Sequence, residues 1–291
     1  MAEKILMSEN SVYAGSHIIL TTKHSKSIAI APVFLNLLSA EIVEFKTDTD
    51  KLGTFSGEIE RKGTALECAK VKCELGLSLT GSYYGLSSEG SFGPHPYIPF
   101  LPCDNEIIYF IDRKRDFHLH LSRLSTKTNF NMQSVTSMEE LQKFSEKALF
   151  PSHALIVRPD NKENKSFIFK GINKSHMLEV AFKESMKHSS NGRVWVETDM
   201  RANMNPSRMI FIQELAQELA KRLLTLCIKC KNPGWGKVSA EPGLVCSQCG
   251  LETELIKTEI YSCTKCDHKE KKPPSHGLLK ADPGNCLYCN P

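Results

Sequence analysis

Tyr83-Tyr84-Gly85-Leu86-Ser87-Ser88-Glu89-Gly90-Ser91-Phe92-Gly93-Pro94-His95-Pro96 is the stretch on which the reading of the fold turns. A short strand-like run ends in one carboxylate, Glu89, and is followed by glycines, hydroxyls, a histidine and two prolines. Gly90 and Gly93 permit backbone turns that a side chain would block and let ligand atoms approach the main chain, so a loop after Glu89 is expected to hold a phosphate or a metal. The plainer alternative is a surface turn of ordinary composition.

Working back toward the N-terminus, His17-Ile-Ile-Leu-Thr-Thr22 has the β-branched character of a buried first strand. Lys23-His24-Ser25-Lys26-Ser27 then leads into an apolar helix ending near Leu38, with Ser25 or Ser27 as its expected cap and Lys26 in its first turn. A cation at a helix N-terminus opposes the dipole, and its presence is explained if it meets an anion there. A second strand is expected over residues 41–46. It is followed by the acidic, glycine-rich run Asp48-Thr49-Asp50-Lys51-Leu52-Gly53-Thr54-Phe55-Ser56-Gly57-Glu58, whose two aspartates suit either a divalent-cation site or a solvated loop. Residues 63–79 read as a helix whose faces separate imperfectly, which places a charged residue at a cleft.

Working forward, strands are expected at residues 106–112, 117–121, 153–157 and 193–197, and helices at 137–148 and 174–187. Ser137-Met138-Glu139-Glu140 is a capping box. His118 and His120 share one side of their strand, but the surrounding arginines and lysine favour a polar sheet face over a metal pair. Asn205-Pro206 opens a helix running to about Leu226, with Arg208 in its first turn; Arg201 and Arg208 bracket a polar loop suited to an anion clamp. Strands alternating with helices predict an α/β or α+β mixed sheet.

The tail carries the most specific signal. Eight of the eleven cysteines form four Cys-x-x-Cys knuckles, Cys227/Cys230, Cys246/Cys249, Cys263/Cys266 and Cys286/Cys289, separated by 15, 13 and 19 residues. Paired thiolates on tight turns supply the tetrahedral sulfur field of structural zinc, so two ions are expected in a double zinc-ribbon domain over residues 227–291, after an α/β domain over 1–226. Sequential knuckles are the first pairing to consider; nested and crossed pairings stay open. With eight thiolates and no open position, the zinc is not expected to catalyse. Cys68, Cys73 and Cys103 read as reduced core residues.

The formal charge of +4 falls away once each four-thiolate zinc site contributes −2, which disfavours nucleic acid as a partner. No apolar run approaches the roughly 20 residues of a membrane span. The N-terminus shows no cleavable leader, and a cytoplasmic protein is expected. Trp235, Tyr261 and Tyr288 are candidate exposed anchors for a protein partner of the tail.

As a whole, the chain resembles an uncharacterised bacterial family in which an α/β domain precedes a cysteine-knuckle tail. The likeness runs through Asp48 to Glu58, Ser88 to Pro96, Asp199-Met-Arg-Ala202 and the closing Cys286 to Pro291. Residues 17–90 are also similar to the inosine/xanthosine triphosphate pyrophosphatase superfamily. Thr21 to Lys26 matches its opening Thr-x-Asn-x-x-Lys, Glu67 to Cys73 its Glu-Asn-Ala-x-x-Lys-Ala, and Glu89-Gly90 its acidic strand end. Lys23 and Cys68 stand where that superfamily has asparagines, and Ser87-Ser88 where many members have aspartates. The second resemblance implies a magnesium-dependent hydrolase acting on a nucleotide or another phosphorylated small molecule. Glu67 and Glu89, with Asp48 or Asp50, would hold magnesium, while Lys26, Lys72, Ser88 and Arg208 would meet the phosphates. The alternative is a non-enzymatic binding module that uses the ribbons for contact.

Overall fold

A computed structural model describes residues 11–47 and 63–291. Asp48, Asp50 and the run through Glu58 lie outside the described residues. The chain divides into two compact units. The first comprises the described residues up to Lys114 with His120–Leu219, and the second comprises Arg115–Leu119 with Ala220–Pro291.

The first unit is a mixed α/β structure built on two sheets. In the larger, β1 (His17–Thr21) lies parallel to both β2 (Glu41–Phe45) and β3 (Tyr84–Pro94), and β3 runs antiparallel to β4 (Pro102–Asp112), giving the order β2-β1-β3-β4-β5 with β5 (Phe117–Ser125) at the edge. Two parallel neighbours around β1 require helical crossovers. The helices α1 (Ser27–Leu38) and α2 (Ala65–Thr80) are the described helices in those connections. On β5, His118 and His120 are both exposed, matching the polar-face reading. Cys68, Cys73 and Cys103 are buried free thiols, and burial pushes Cys73 and Cys103 up, away from thiolate chemistry.

The quoted stretch is strand where a loop was expected. β3 continues through Glu89 as far as Pro94, in register with β4 from Tyr84↔Asp112 to Pro94↔Pro102. Gly85 and Gly90 serve close packing rather than turning. A Cβ at Gly85 would sit within 3 Å of Cys73 Sγ and of Leu77, so α2 packs directly against this strand. A Cβ at Gly90 would sit within 3 Å of Arg208 Nη2 and Glu106 Oε1, so that space belongs to ionic side chains.

The smaller sheet has the order β6-β9-β7-β8, with β6 (Met132–Val135), β7 (Leu155–Pro159), β8 (Phe169–Ile172) and β9 (Val194–Thr198) all antiparallel. Leu141 and Phe144 of α3 (Met138–Lys147) and Leu178 and Phe182 of α4 (Ser175–Lys187) bury against Leu155, Val157, Val194 and Val196. Each such side chain contributes about 1.5–3 kcal/mol of transfer free energy. Ser137 caps α3 by accepting from Glu140 N at 3.2 Å. The strands β6 and β8 were not legible in the sequence, being short and poor in alternation. The long α5 (Pro206–Leu224) opens where expected, with Asn205 Oδ1 accepting from Arg208 N at 3.0 Å and His153 Nε2 accepting from Ser207 N at 3.3 Å.

In the second unit, β10 (Gly236–Pro242), β11 (Ile256–Ser262) and β12 (Lys269–Lys272) form a three-stranded antiparallel meander between the cysteine knuckles. Among the described residues, no helix is long and apolar enough to cross a membrane.

Candidate functional sites: two thiolate centres and a buried ion cluster

The knuckles pair in crossed fashion. Cys227, Cys230, Cys263 and Cys266 form one group and Cys246, Cys249, Cys286 and Cys289 the other, with all sulfurs of each group within 4.8 Å of one another. The antiparallel hairpin explains why the sequential pairing fails. β10 leaves the first knuckle and ends before the second, while β11 leaves the second and ends before the third. Pairing Gly236 with Ser262 therefore brings knuckles one and three to one end of the hairpin. The fourth knuckle joins the second at the other end, where Cys246 bridges to Ala281. β10, with the sequence Gly-Lys-Val-Ser-Ala-Glu-Pro, lacks the apolar alternation that would have announced it.

Both groups suit zinc. The Cys227–Cys266 and Cys246–Cys289 sulfur separations are 3.9 Å, and those of Cys230–Cys263 and Cys249–Cys286 are 3.5 Å. A tetrahedron with Zn–S bonds of about 2.3 Å has edges of about 3.8 Å, whereas a disulfide would need about 2.05 Å. Backbone N–H groups of Lys265 and Cys266 point at Cys263 Sγ (3.3 and 3.4 Å), and that of Gln248 points at Cys246 Sγ (3.4 Å), where backbone hydrogen bonds from Cys249 and Gln248 hold the thiol below its ordinary range. These are closed four-cysteine sites for two structural ions. Of the expected aromatic anchors, Trp235 is buried and stacks on His268 at 5.0 Å, and Tyr261 is half-buried; Tyr288 is exposed.

The ion cluster lies in the first unit. Lys26 directly precedes α1 and occupies its N-cap position without a side-chain cap bond, a correction to the expected serine cap: Ser25 has a positive φ of 51° and Ser27 Oγ hydrogen-bonds Glu44. The Lys26 ammonium turns inward and donates to Ser88 O and Ser88 Oγ, both at 2.9 Å. Next along β3, Glu89 forms an ion pair with Lys72 of α2. From β4, Glu106 Oε1 accepts from Arg208 Nε at 2.5 Å, and the same guanidinium donates to Met200 O and lies 5.0 Å from the Phe92 ring centre. Asp104, two residues before Glu106 on the same face of β4, lies beside the Glu106 carboxyl. Lys26, Ser88, Glu89, Asp104, Glu106 and Arg208 are all buried, and Lys72 is 14% exposed at its side chain.

This burial moves protons. Burial, with Arg208 close by, pushes the Lys26 ammonium down to about 8, although Glu106 and Glu89 oppose the shift. Burial and the neighbouring Glu106 push Asp104 up to about 8. At neutral pH, Asp104 is thus a carboxylic acid and Lys26 a cation that loses its proton at modestly alkaline pH.

Of the residues read from the sequence, Lys26, Ser88 and Arg208 gather on one face of the β3–β4 pair, while Glu89 and Lys72 pair on the opposite, α2-covered face, and Lys26 lies near enough to both groups to feel the charges of each. Asp104 and Glu106 were missed; the only available signal was acidic residues at alternate positions of a strand otherwise apolar enough to be buried. Glu67 is placed differently. Its Oε2 accepts from Thr64 N at 2.7 Å and Thr64 Oγ1 at 3.0 Å, closing a capping box at the exposed start of α2, and these bonds hold its carboxyl below the ordinary range. Arg201 is likewise taken up locally, forked onto buried Asp199 at 2.9 and 2.5 Å, while Asp199 also accepts from Gly171 N.

Residues 72–291 match the family described as a domain of unknown function, DUF6671. The chain belongs to that family. The DUF6671 span includes Lys72, Ser88, Glu89, Asp104, Glu106, Arg208 and all eight knuckle cysteines, and begins after Lys26, Asp50 and Glu67. No curated protein matches the chain.

Proposed function

We propose that the ion cluster of the first unit binds the phosphate groups of a phosphorylated small molecule, and that the chain is a hydrolase of a nucleoside di- or triphosphate. The observation that carries this reading is the meeting of Lys26 and Arg208 beside Ser88, with the Lys72–Glu89 pair on the other face of β3 and close to Lys26, just past the C-terminal end of β1, where its parallel pairing with β3 stops at Thr21↔Ser87. Ligands of open α/β sheets sit outside the carboxyl ends of such strands. The limited likeness of residues 17–90 to the inosine/xanthosine triphosphate pyrophosphatase superfamily points the same way.

In this reading Lys26 and Arg208 neutralise charge developing on the phosphoryl oxygens, and the Ser88 hydroxyl orients one of them. A phosphate that takes the Lys72 ammonium releases Glu89 to accept a proton from the attacking water. The magnesium set read from the sequence does not assemble among the described residues, because Glu67 closes a capping box and Glu89 is paired with Lys72. No step is therefore assigned to a protein-held cation. The test is to screen the zinc-loaded protein against a panel of nucleoside di- and triphosphates, with and without magnesium, following phosphate and pyrophosphate release. Release that disappears in Glu89→Gln is expected. Absence of both release and binding across the panel overturns the reading.

A second reading, a binding module that docks a protein partner through the tail, is favoured by Leu279, Leu287 and Tyr288, which are 91%, 78% and 75% exposed. Ligand binding without turnover in the same panel selects it.

A further inference from the structure

The least expected feature of the ion cluster is a pair of acids facing each other inside it. Asp104 and Glu106 project from one face of β4 and are 2% and 0% exposed. Asp104 Oδ1 and Glu106 Oε2 are buried without a hydrogen-bond donor. Two ionised carboxylates cannot hydrogen-bond each other, because each is acceptor-only; one added proton turns the contact into a donor–acceptor pair. Two like charges side by side on one strand face in a dry site favour such sharing.

We propose that Asp104 and Glu106 share one proton, and that this proton makes the cluster a site for phosphate anions, with pyrophosphate-type groups as its ligand class. The inference rests on the phosphate-binding reading above and adds the residues that set the sign of the site. The charges facing the pair are Arg208 from α5 and Lys26 at the start of α1; Glu89 of β3 and Lys72 of α2 pair with each other on the opposite face of the sheet, near enough to act on Lys26. With Asp104 protonated, two cations (Lys26, Arg208) face one carboxylate (Glu106), a surplus of one positive charge, and the Lys72–Glu89 pair across the sheet is neutral in itself. Without the proton, two face two and the attraction for an anion is gone. Burial raises Asp104 and lowers Lys26 toward the same value of about 8, so above that pH the site loses a positive charge and gains a negative one together.

The experiment is calorimetric titration of the zinc-loaded full chain with inorganic pyrophosphate from pH 6.5 to 9. Each titration is repeated in buffers of different ionisation enthalpy, so that proton uptake is counted. Asp104→Asn keeps the shape of the side chain and donates an N–H to Glu106, but cannot ionise. Wild-type binding is expected to weaken more steeply than the variant's, the ratio of their affinities falling about tenfold per pH unit above 8, with one extra proton taken up by the wild type. Ionisation of pyrophosphate is common to both proteins and cancels in that ratio. Infrared spectroscopy of the wild type alone supplies a second measurement, with a buried protonated carboxyl band expected at pH 7 and lost by pH 9. Equal pH profiles and proton counts in the two proteins, or no such band at pH 7, overturn the inference while leaving phosphate binding in place. No pyrophosphate binding by the wild type at pH 6.5 overturns both.

Discussion

The thiolate centres and the ion cluster both gather charged side chains at one point, but they are encoded in opposite ways. Each knuckle is a local motif: two cysteines three residues apart fix a turn and half a ligand set, and only the choice of partner knuckle depends on the fold. The ion cluster has no local unit at all. Lys26, Lys72, Glu89, Asp104, Glu106 and Arg208 come from a helix start, a helix interior, two strands and a second helix start. The first centre holds its charges with a metal, and the second holds them by pairing them with each other and by retaining a proton. A local motif thus declares its chemistry before the fold is known, whereas a distributed one declares it only afterwards.

The comparison is broken most sharply by removing the metal. Two equivalents of zinc per chain are expected by elemental analysis, and stripping them with a chelator should abolish the ordered structure of the second unit, since structural zinc contributes an apparent ~10–16 kcal/mol per site. A count of one or none contradicts the two closed centres. Crossed pairing is tested by Cys263→Ser, which should weaken the zinc bound with Cys227 and Cys230 and spare the ion held by Cys246, Cys249, Cys286 and Cys289.

The ion cluster responds to smaller changes. Glu106→Gln leaves the Arg208 guanidinium buried without its carboxylate and should destabilise the first unit by about 3–5 kcal/mol in denaturant titration. Replacing both residues, as Glu106→Gln with Arg208→Met, should recover much of that loss. Asp104→Asn tests the proton. A carboxyl whose value is raised on folding costs stability as the pH climbs from its unfolded to its folded value, so wild type should weaken relative to the variant as pH rises from the ordinary 3.8 through about 8, and level off above it. The difference is on the order of 1–3 kcal/mol, the range for a buried polar group left without a partner. Lys26, lowered on folding, acts in the opposite sense: the stability it adds is present above its unfolded value of 10.5 and is lost as pH falls through about 8. The smallest effect is expected from Thr64→Ala at the start of α2, about 1 kcal/mol for a lost cap, with ligand binding unchanged because Glu67 acts there as a cap.

How much could be read in advance follows the same division. Buried β1 and the cap-and-proline start of α5 were legible because strand burial and helix capping are local rules. β3 was cut short at Gly90 because glycine and proline ordinarily punctuate; here Gly90 makes room for Arg208 and Glu106, residues 118 and 16 positions away. The sequential knuckle pairing failed for a related reason, since it depended on an unpatterned strand, β10. Asp104 and Glu106 were passed over because acidic residues in an apolar strand carry no sign of what they face until Lys26 and Arg208 are placed beside them.

We propose the buried ion cluster of the first unit as a phosphate site. It is tested most directly by titrating the zinc-loaded chain with pyrophosphate at pH 6.5, beside a Lys26→Met variant that removes the ammonium held by Ser88. Saturable binding by the wild type, weakened at least tenfold in the variant, is the predicted result. Equal binding by both proteins, or none by either, contradicts it.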